Sequence, residues 1–135
     1  MFYPTLKGKN ALVCGSSKGI GKASALLLSK GGANVTLLAR SEDALKATLS
    51  LLDTSLGQNH DYLVADFGDQ AALSEKISAL AAQKHIHILV NNTGGPPGGP
   101  IANAQPQEFI SAFNNHLICN HIITQALIGG MKQEG

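Results

Sequence analysis

Charge, aromatic bulk and cysteine are all scarce in this sequence. Charged residues make up 14% of its 135 positions, aromatics 4%, and tryptophan is missing altogether. A net charge of +1 without any cluster of Lys and Arg leaves no electrostatic footprint for a nucleic-acid backbone. The two cysteines, Cys14 and Cys119, are too few for a disulfide framework. Both fall in predicted apolar elements and read as small core residues of a cytoplasmic chain in a reducing compartment. No run approaches the ~18 apolar residues of a membrane span, and Met1–Lys7 lacks the apolar centre of a signal peptide. Asn34-Val35-Thr36 and Asn91-Asn92-Thr93 match the glycosylation sequon but fall on strands or strand ends, as chance matches would. His85 and His87 alternate along an apolar run with no Cys or acid at ligand spacing, which favours a structural role over a metal site. What remains is an aliphatic, single-domain chain, 44% apolar, able to bury roughly two-thirds of its unfolded surface.

The stretch that organises the chain is Val13-Cys14-Gly15-Ser16-Ser17-Lys18-Gly19-Ile20-Gly21-Lys22. It follows the apolar run Asn10–Cys14 and opens a helical pattern through Ala23, Leu26, Leu27 and Leu28. A helix start exposes unpaired N–H groups and the positive end of the helix dipole, so a diphosphate fits there. Glycine is needed where the turn takes unusual backbone angles and where a side chain would block the phosphates. The spacing Gly-x3-Gly-x-Gly differs from the common G-x-G-x-x-G fingerprint. It also fails as a P-loop, because Ser16 and Ala23 stand where that motif needs Gly and Ser/Thr.

Around this turn, strands and helices alternate. A strand at 10–15 follows an arm at 1–9, and a helix spans Gly19–Lys30, ended by Gly31-Gly32. Asn34–Arg40 is a buried strand. Ser41 caps a helix whose apolar spacing runs through Leu45, Leu49, Leu52 and Leu56 to a stop at Gly57. A third strand covers His60–Ala65, and Asp69 caps a helix reaching about Lys84. His85–Val90 is the fourth strand, and the proline- and glycine-dense Gly95–Pro100 is a loop on the active-site side. One last helix from Gln107 to Met131 is apolar on more than one face, as a helix buried on two sides or paired with another subunit would be. The pattern predicts an α/β, Rossmann-like, doubly wound parallel sheet in the order 3-2-1-4, with the first two helices on one face. Its ligand crevice lies between the carboxyl ends of strands 1 and 4, where the glycine turn meets Asn92-Thr93-Gly94.

Three features at matching distances resemble the short-chain dehydrogenase/reductase family: the glycine turn, Asp66 closing strand 3, and Asn91-Asn92-Thr93-Gly94 in place of N-N-A-G. Thr124-Gln125 and Met131 match that family's last helix in spacing. The resemblance covers nearly the whole chain and about the first half of a typical member. It implies one NAD(P)-binding domain over 1–135. It also implies cofactor contacts from Gly15, Ser17, Lys18, Gly19, Ile20 and Gly21 in the turn, and from Arg40 and Ser41 after strand 2. Asp66 and Phe67 after strand 3, and Asn92, Thr93 and Gly94 after strand 4, complete the implied set. For Asp66, a helix-capping role alongside Asp69 is the alternative.

Charge argues for the form of the dinucleotide. An acid after strand 2 binds ribose hydroxyls, whereas basic side chains meet a 2′-phosphate. Here strand 2 ends Leu38-Ala39-Arg40-Ser41 with no acid before Glu42, and Lys18 adds a second cation, so NADP(H) is favoured over NAD(H). The resemblance implies hydride transfer to a ketone or 3-oxoacyl-type small molecule, and the Gly94–Pro100 loop resembles that of 3-oxoacyl-acyl-carrier-protein reductase-like members. The family's catalytic Ser and Tyr-x-x-x-Lys have no counterpart where the resemblance would place them, after a fifth strand: Tyr62 has no lysine four residues on, and Tyr3, four residues before Lys7, stands in the arm ahead of strand 1. The expectation is therefore a cofactor-binding half that does not catalyse alone, with no catalytic residue and no metal ligand assigned. Counting back from Thr124-Gln125 and Met131, the resemblance places His116 at the asparagine of the family's catalytic tetrad, where it could relay protons, though a polar helix residue without such a role is the favoured reading; Asn115 stands one residue away and Asn120 is a weaker substitute. The resemblance implies a homo-oligomer through the last helix, and the free edge of strand 4 points to self-association. A non-catalytic dinucleotide-binding module is the rival reading, and a methyltransferase a more distant one.

Overall fold

The computed structural model describes residues 5–134, so the first four residues of the expected arm lie outside it. Four strands, β1 (Asn10–Cys14), β2 (Asn34–Ala39), β3 (Asp61–Val64) and β4 (Ile88–Val90), form one parallel sheet in the order β3-β2-β1-β4. That is the expected order. Five helices, α1 (Gly19–Lys30), α2 (Glu42–Leu49), α3 (Gln70–Gln83), α4 (Pro106–Phe113) and α5 (Cys119–Gln133), accompany it.

Side chains alternate across the sheet, so each central strand feeds two cores. Ala11, Val13, Val35 and Leu37 pack with Ala25 of α1 and Leu45 of α2 on one face. Leu12, Cys14 and Leu38 pack with Leu73 and Ile77 of α3 and Cys119 and Ile123 of α5 on the other. Two layers of helix therefore enclose apolar strands, as right-handed crossovers require. Complete burial of a side chain such as Leu12 or Leu38 stabilises the fold by about 1.5–3 kcal/mol over leaving it exposed.

Helix boundaries follow local chemistry. Ser41 accepts from the Ala44 N–H at 3.4 Å and Asp69 from the Ala72 N–H at 3.1 Å, as their expected capping roles require. Gly32, at φ +98°, makes the left-handed exit from α1.

Three expected boundaries are corrected. Helix α2 stops at Leu49 rather than running to Leu56, because polar side chains draw residues 53–58 toward α1. The Ser29 hydroxyl accepts from the Asp53 N–H at 3.0 Å, and the Gln58 amide donates to the Ser29 carbonyl at 2.7 Å while accepting from the Leu56 N–H at 2.8 Å. Strand β4 begins at Ile88 rather than His85. Before it, the His87 ring takes the place of a strand carbonyl, its Nδ1 accepting from the Asn10 N–H at 2.9 Å. The single long last helix is α4 and α5 joined by a π-helical turn, Asn114–Ile118. The wider turn changes which residues face the sheet, a feature commonly found at functional sites.

Candidate functional site

The carboxyl ends of β1 and β4 meet at the glycine turn. Asn92, just past β4, donates its side-chain N–H to the carbonyls of Cys14 and Gly15, each at 3.3 Å, and so ties the two strand ends together. A Cβ on Gly15 would lie 2.5 Å from the Asn92 carbonyl oxygen, and one on Gly21 would strike the Gly15 carbonyl. Gly15 and Gly19 also take φ of +58° and +57°. Gly19 has nothing within 4 Å of where its Cβ would stand. Two glycines therefore permit close packing, and the third leaves open space on the outer side of the turn.

The start of α1 differs from those of α2 and α3. Its N-cap, Lys18, places no side chain on the first amides, whereas Ser41 and Asp69 supply caps to the other two. Ser16, which could have plugged the turn, is fully buried and instead accepts from the Leu38 N–H at 2.9 Å. The first N–H groups of α1 are left without a side-chain cap, next to the open space beside Gly19, and this arrangement suits a diphosphate. Ser17, Lys18, Gly19 and Ile20 form the rim of the turn, with Ile20 77% exposed.

Beside the turn lies a cleft of about 390 Å³. Arg40, Asp66, Phe67, Thr93 and Gly94 all line it, so five implied cofactor residues from three strand ends share one surface. The expected turn residues Gly15, Ser17, Lys18, Gly19, Ile20 and Gly21, with Ser41 and Asn92, lie outside that lining, and the structure does not bring Lys18 to Arg40 as a second wall of the cleft. The Ser41 hydroxyl is occupied by its capping bond. Asp66 accepts from the Gly68 N–H at 2.8 Å, which fixes the turn after β3, and the capping role belongs to Asp69 alone.

The far wall comes from α4 and the π turn: Gln107, Glu108, Ser111 and Ala112, then Asn115 and His116. The sequence reading missed the first four. Gln107, Glu108 and Ser111 lie within one turn of one another on a polar face that could have been read opposite the apolar one. His116 Nδ1 lies 2.7 Å from the Thr93 hydroxyl, and the Asn120 amide donates to the His116 carbonyl at 2.7 Å. Asn115 instead offers its carbonyl to the Cys119 thiol at 2.9 Å. Further on, α5 is tied to the end of β4 by the Asn91 amide, which donates to the Thr124 hydroxyl at 3.2 Å. Burial, and secondarily the neighbouring Cys119, push the Cys14 thiol up to about 12, and burial raises Cys119 as well. Neither thiol is therefore a nucleophile at neutral pH. Among the described residues no group of three His, Cys, Asp or Glu side chains could hold a metal ion. An acidic partner nevertheless reaches the histidine pair from the distant end of α5. Glu134 lies 3.7 Å from His85 and 3.6 Å from His87.

The short chain dehydrogenase family model matches residues 9–135. The chain belongs to the short-chain dehydrogenase family. Ketoacyl reductase HetN of Nostoc sp. is 32% identical over 136 residues, an alignment covering 97% of this chain and 46% of the relative. L-sorbose reductase from Gluconobacter frateurii, solved with NADPH and L-sorbose, superposes with a TM-score of 0.88 at 26% identity, over 98% of this chain and 51% of that one. A 3-oxoacyl-(acyl-carrier-protein) reductase from Agrobacterium tumefaciens with NADP bound gives a TM-score of 0.86 at 25% identity, over 96% and 50%. The chain thus spans about half the length of these family members. No helix among the described residues is long and apolar enough to cross a membrane.

Proposed function

We propose that this chain is the dinucleotide-binding part of an NADP(H)-dependent oxidoreductase that transfers hydride to a ketone or 3-oxoacyl-type small molecule. The observation that carries the reading is the uncapped start of α1 beside the open face of Gly19, at the carboxyl edge of the sheet. The backbone amides there would hold the diphosphate, and Gly15, Ser17, Lys18, Gly19, Ile20 and Gly21 would frame it. Asp66 and Phe67 would border the adenine, and Asn92, Thr93 and Gly94 the nicotinamide half. When bound, the dinucleotide supplies the hydride; the chain's residues bind, orient and shield it.

Preference for the phosphorylated form rests on Arg40, exposed at the end of β2 in the lining of the cleft. A guanidinium can meet a phosphate through paired donors. Lys18 would add long-range attraction from the rim. The first acid after β2, Glu42, is engaged elsewhere: it accepts from the Tyr62 hydroxyl at 2.8 Å and pairs with Lys46 at 3.2 Å. The NADPH- and NADP-bound neighbours and the ketoacyl reductase relative support the same cofactor and substrate class. The exposed stripe of Phe109, Phe113 and Leu117 on the last helices would be covered in a homo-oligomer.

Fluorescence titration with NADPH and NADH tests the reading. Arg40→Ala should weaken NADPH by about ten- to a hundredfold, the size of one or two charge-assisted hydrogen bonds, and leave NADH nearly unchanged. Equal losses for the two cofactors would remove the phosphate contact.

A further inference from the structure

We propose that Thr93 and His116 form the proton-carrying element of the cleft. His116 would exchange protons through Nε2 while Thr93 holds Nδ1 in every protonation state. The inference rests on the oxidoreductase reading for its role, but on the geometry of three imidazoles for its substance.

His60 Nδ1 accepts from the Val35 N–H at 3.0 Å, and its Nε2 meets the Asp53 carbonyl at 2.8 Å. His87 Nδ1 accepts from the Asn10 N–H at 2.9 Å. A backbone N–H only donates, so both rings are held in the tautomer with hydrogen on Nε2. Adding a proton to Nδ1 of either would cost a backbone hydrogen bond. These two rings serve as structure.

His116 is placed differently. Its Nδ1 meets a hydroxyl at 2.7 Å, and a hydroxyl can donate or accept. Thr93 donates to the ring when Nδ1 is bare, and accepts from it in the other neutral tautomer and in the imidazolium. All three forms keep the bond. Among the described residues no protein group pairs with Nε2, and the half-buried ring lines the cleft. The backbone beneath is held by the Asn120 bond to the His116 carbonyl. The mount is fixed while the proton is free to move.

The charged groups lining the same cleft are Arg40 beyond β2, Asp66 beyond β3 and Glu108 on α4. Cys119, one turn further on, is buried and its thiol stays protonated and neutral. Reduction of a carbonyl consumes one hydride, which a reduced nicotinamide supplies, and one proton. In the imidazolium form Nε2 gives its proton to an oxygen in the cleft, and the neutral ring that remains keeps its Nδ1–H on Thr93. Water returns a proton to Nε2. An asparagine, the residue the family resemblance places here, cannot do this.

The test uses the protein at its natural full length, with His116→Asn, Thr93→Val and Thr93→Ser. Nitrogen-15 imidazole spectra across about pH 5–8 should show both neutral tautomers at His116, and only the Nε2–H form at His60 and His87. Thr93→Val should confine His116 to one neutral tautomer, and Thr93→Ser should restore both. In NADPH-dependent carbonyl reduction, His116→Asn should erase one limb of the pH profile and lower kcat by about ten- to a hundredfold, with NADPH affinity kept. A single tautomer at His116 in the wild type, unmoved by Thr93→Val, would overturn the proposal. A uniform rate loss at every pH in His116→Asn would do the same. Should the Thr93→Val protein fail to fold, the wild-type and Thr93→Ser spectra decide. Absence of NADPH binding by the wild type would refute the dinucleotide reading alone, and the spectra would still judge the pair.

Discussion

The glycine-turn side of the sheet and the side built by β4, α4 and α5 solve different problems. Around the turn, contacts are short and the apolar residues that face the sheet are covered. Ser16 bonds β2, Asn92 bonds two carbonyls, and Ala25, Val35, Leu37 and Leu45 are fully buried. On the other side, α4 has no buried residue, and Phe109, Phe113 and Leu117 are each more than half exposed. A π turn interrupts the regular helix, and one imidazole is left with a free nitrogen in the cleft. The first region is a rigid seat whose tolerance is set by backbone approach. The second is a surface with exposed apolar residues and with polar side chains that line the cleft. That contrast separates binding from chemistry: the amides that would hold a diphosphate must not move, whereas a proton carrier must change state without losing its mount.

The sharpest way to break the contrast is Gly21→Val. The new side chain would strike the Gly15 carbonyl and crowd Asn92, so dinucleotide affinity measured by fluorescence should fall by more than about a hundredfold. Circular dichroism should still report a folded sheet. Unchanged affinity would mean that the turn is not the seat.

Next in size is the exposed stripe. Phe113→Lys, placed outward on α4, should shift the full-length protein toward smaller species in sedimentation velocity at micromolar concentration while leaving NADPH affinity within about twofold. Association unaffected by this change would move the interface elsewhere.

The rigid seat makes a further claim about thiols. With Cys14 pushed up to about 12 and Cys119 also raised by burial, a thiol reagent at pH 8 should label neither in the native protein and both in denaturant. Rapid native labelling would show that the core beneath the turn opens.

The smallest effect expected is at Glu42. The Tyr62 hydroxyl and then the Lys46 ammonium hold its carboxyl below the usual 4.5. A depressed folded-state value stabilises the ionised form, so this contribution is complete above that usual value and fades as pH falls through the lowered one. The group is exposed, so Glu42→Gln should lower Tm only slightly at neutral pH, and the difference should vanish in acid.

Much of the seat could be read along the chain because its signals are local. Gly15, Gly19 and Gly21 fall at fixed offsets from an apolar run. Ser41 and Asp69 stand one residue before their helices, and the near-continuous apolar runs Ala11–Cys14 and Val35–Leu38 mark strands buried on both faces. The parts that could not be read depend on distant partners. Helix α2 has the apolar spacing to continue to Leu56, yet Ser29, 24 residues before Asp53, accepts from its backbone and ends that course. His85 and His87 seemed to lack an acid until the fold delivered Glu134. Lys18 and Arg40 are both cations near the turn, and only Arg40 lines the cleft.

By itself the sequence determined the strand order and the first helix to the residue. Periodicity, capping and backbone freedom act over a few residues, and crossover handedness leaves few other arrangements. Only the tertiary structure decided which nitrogen of which histidine is free, because that depends on partners dozens of residues away. His87 and His116 are the same side chain in the sequence. One is fixed by an amide that can only give, and the other faces a hydroxyl that can give or take.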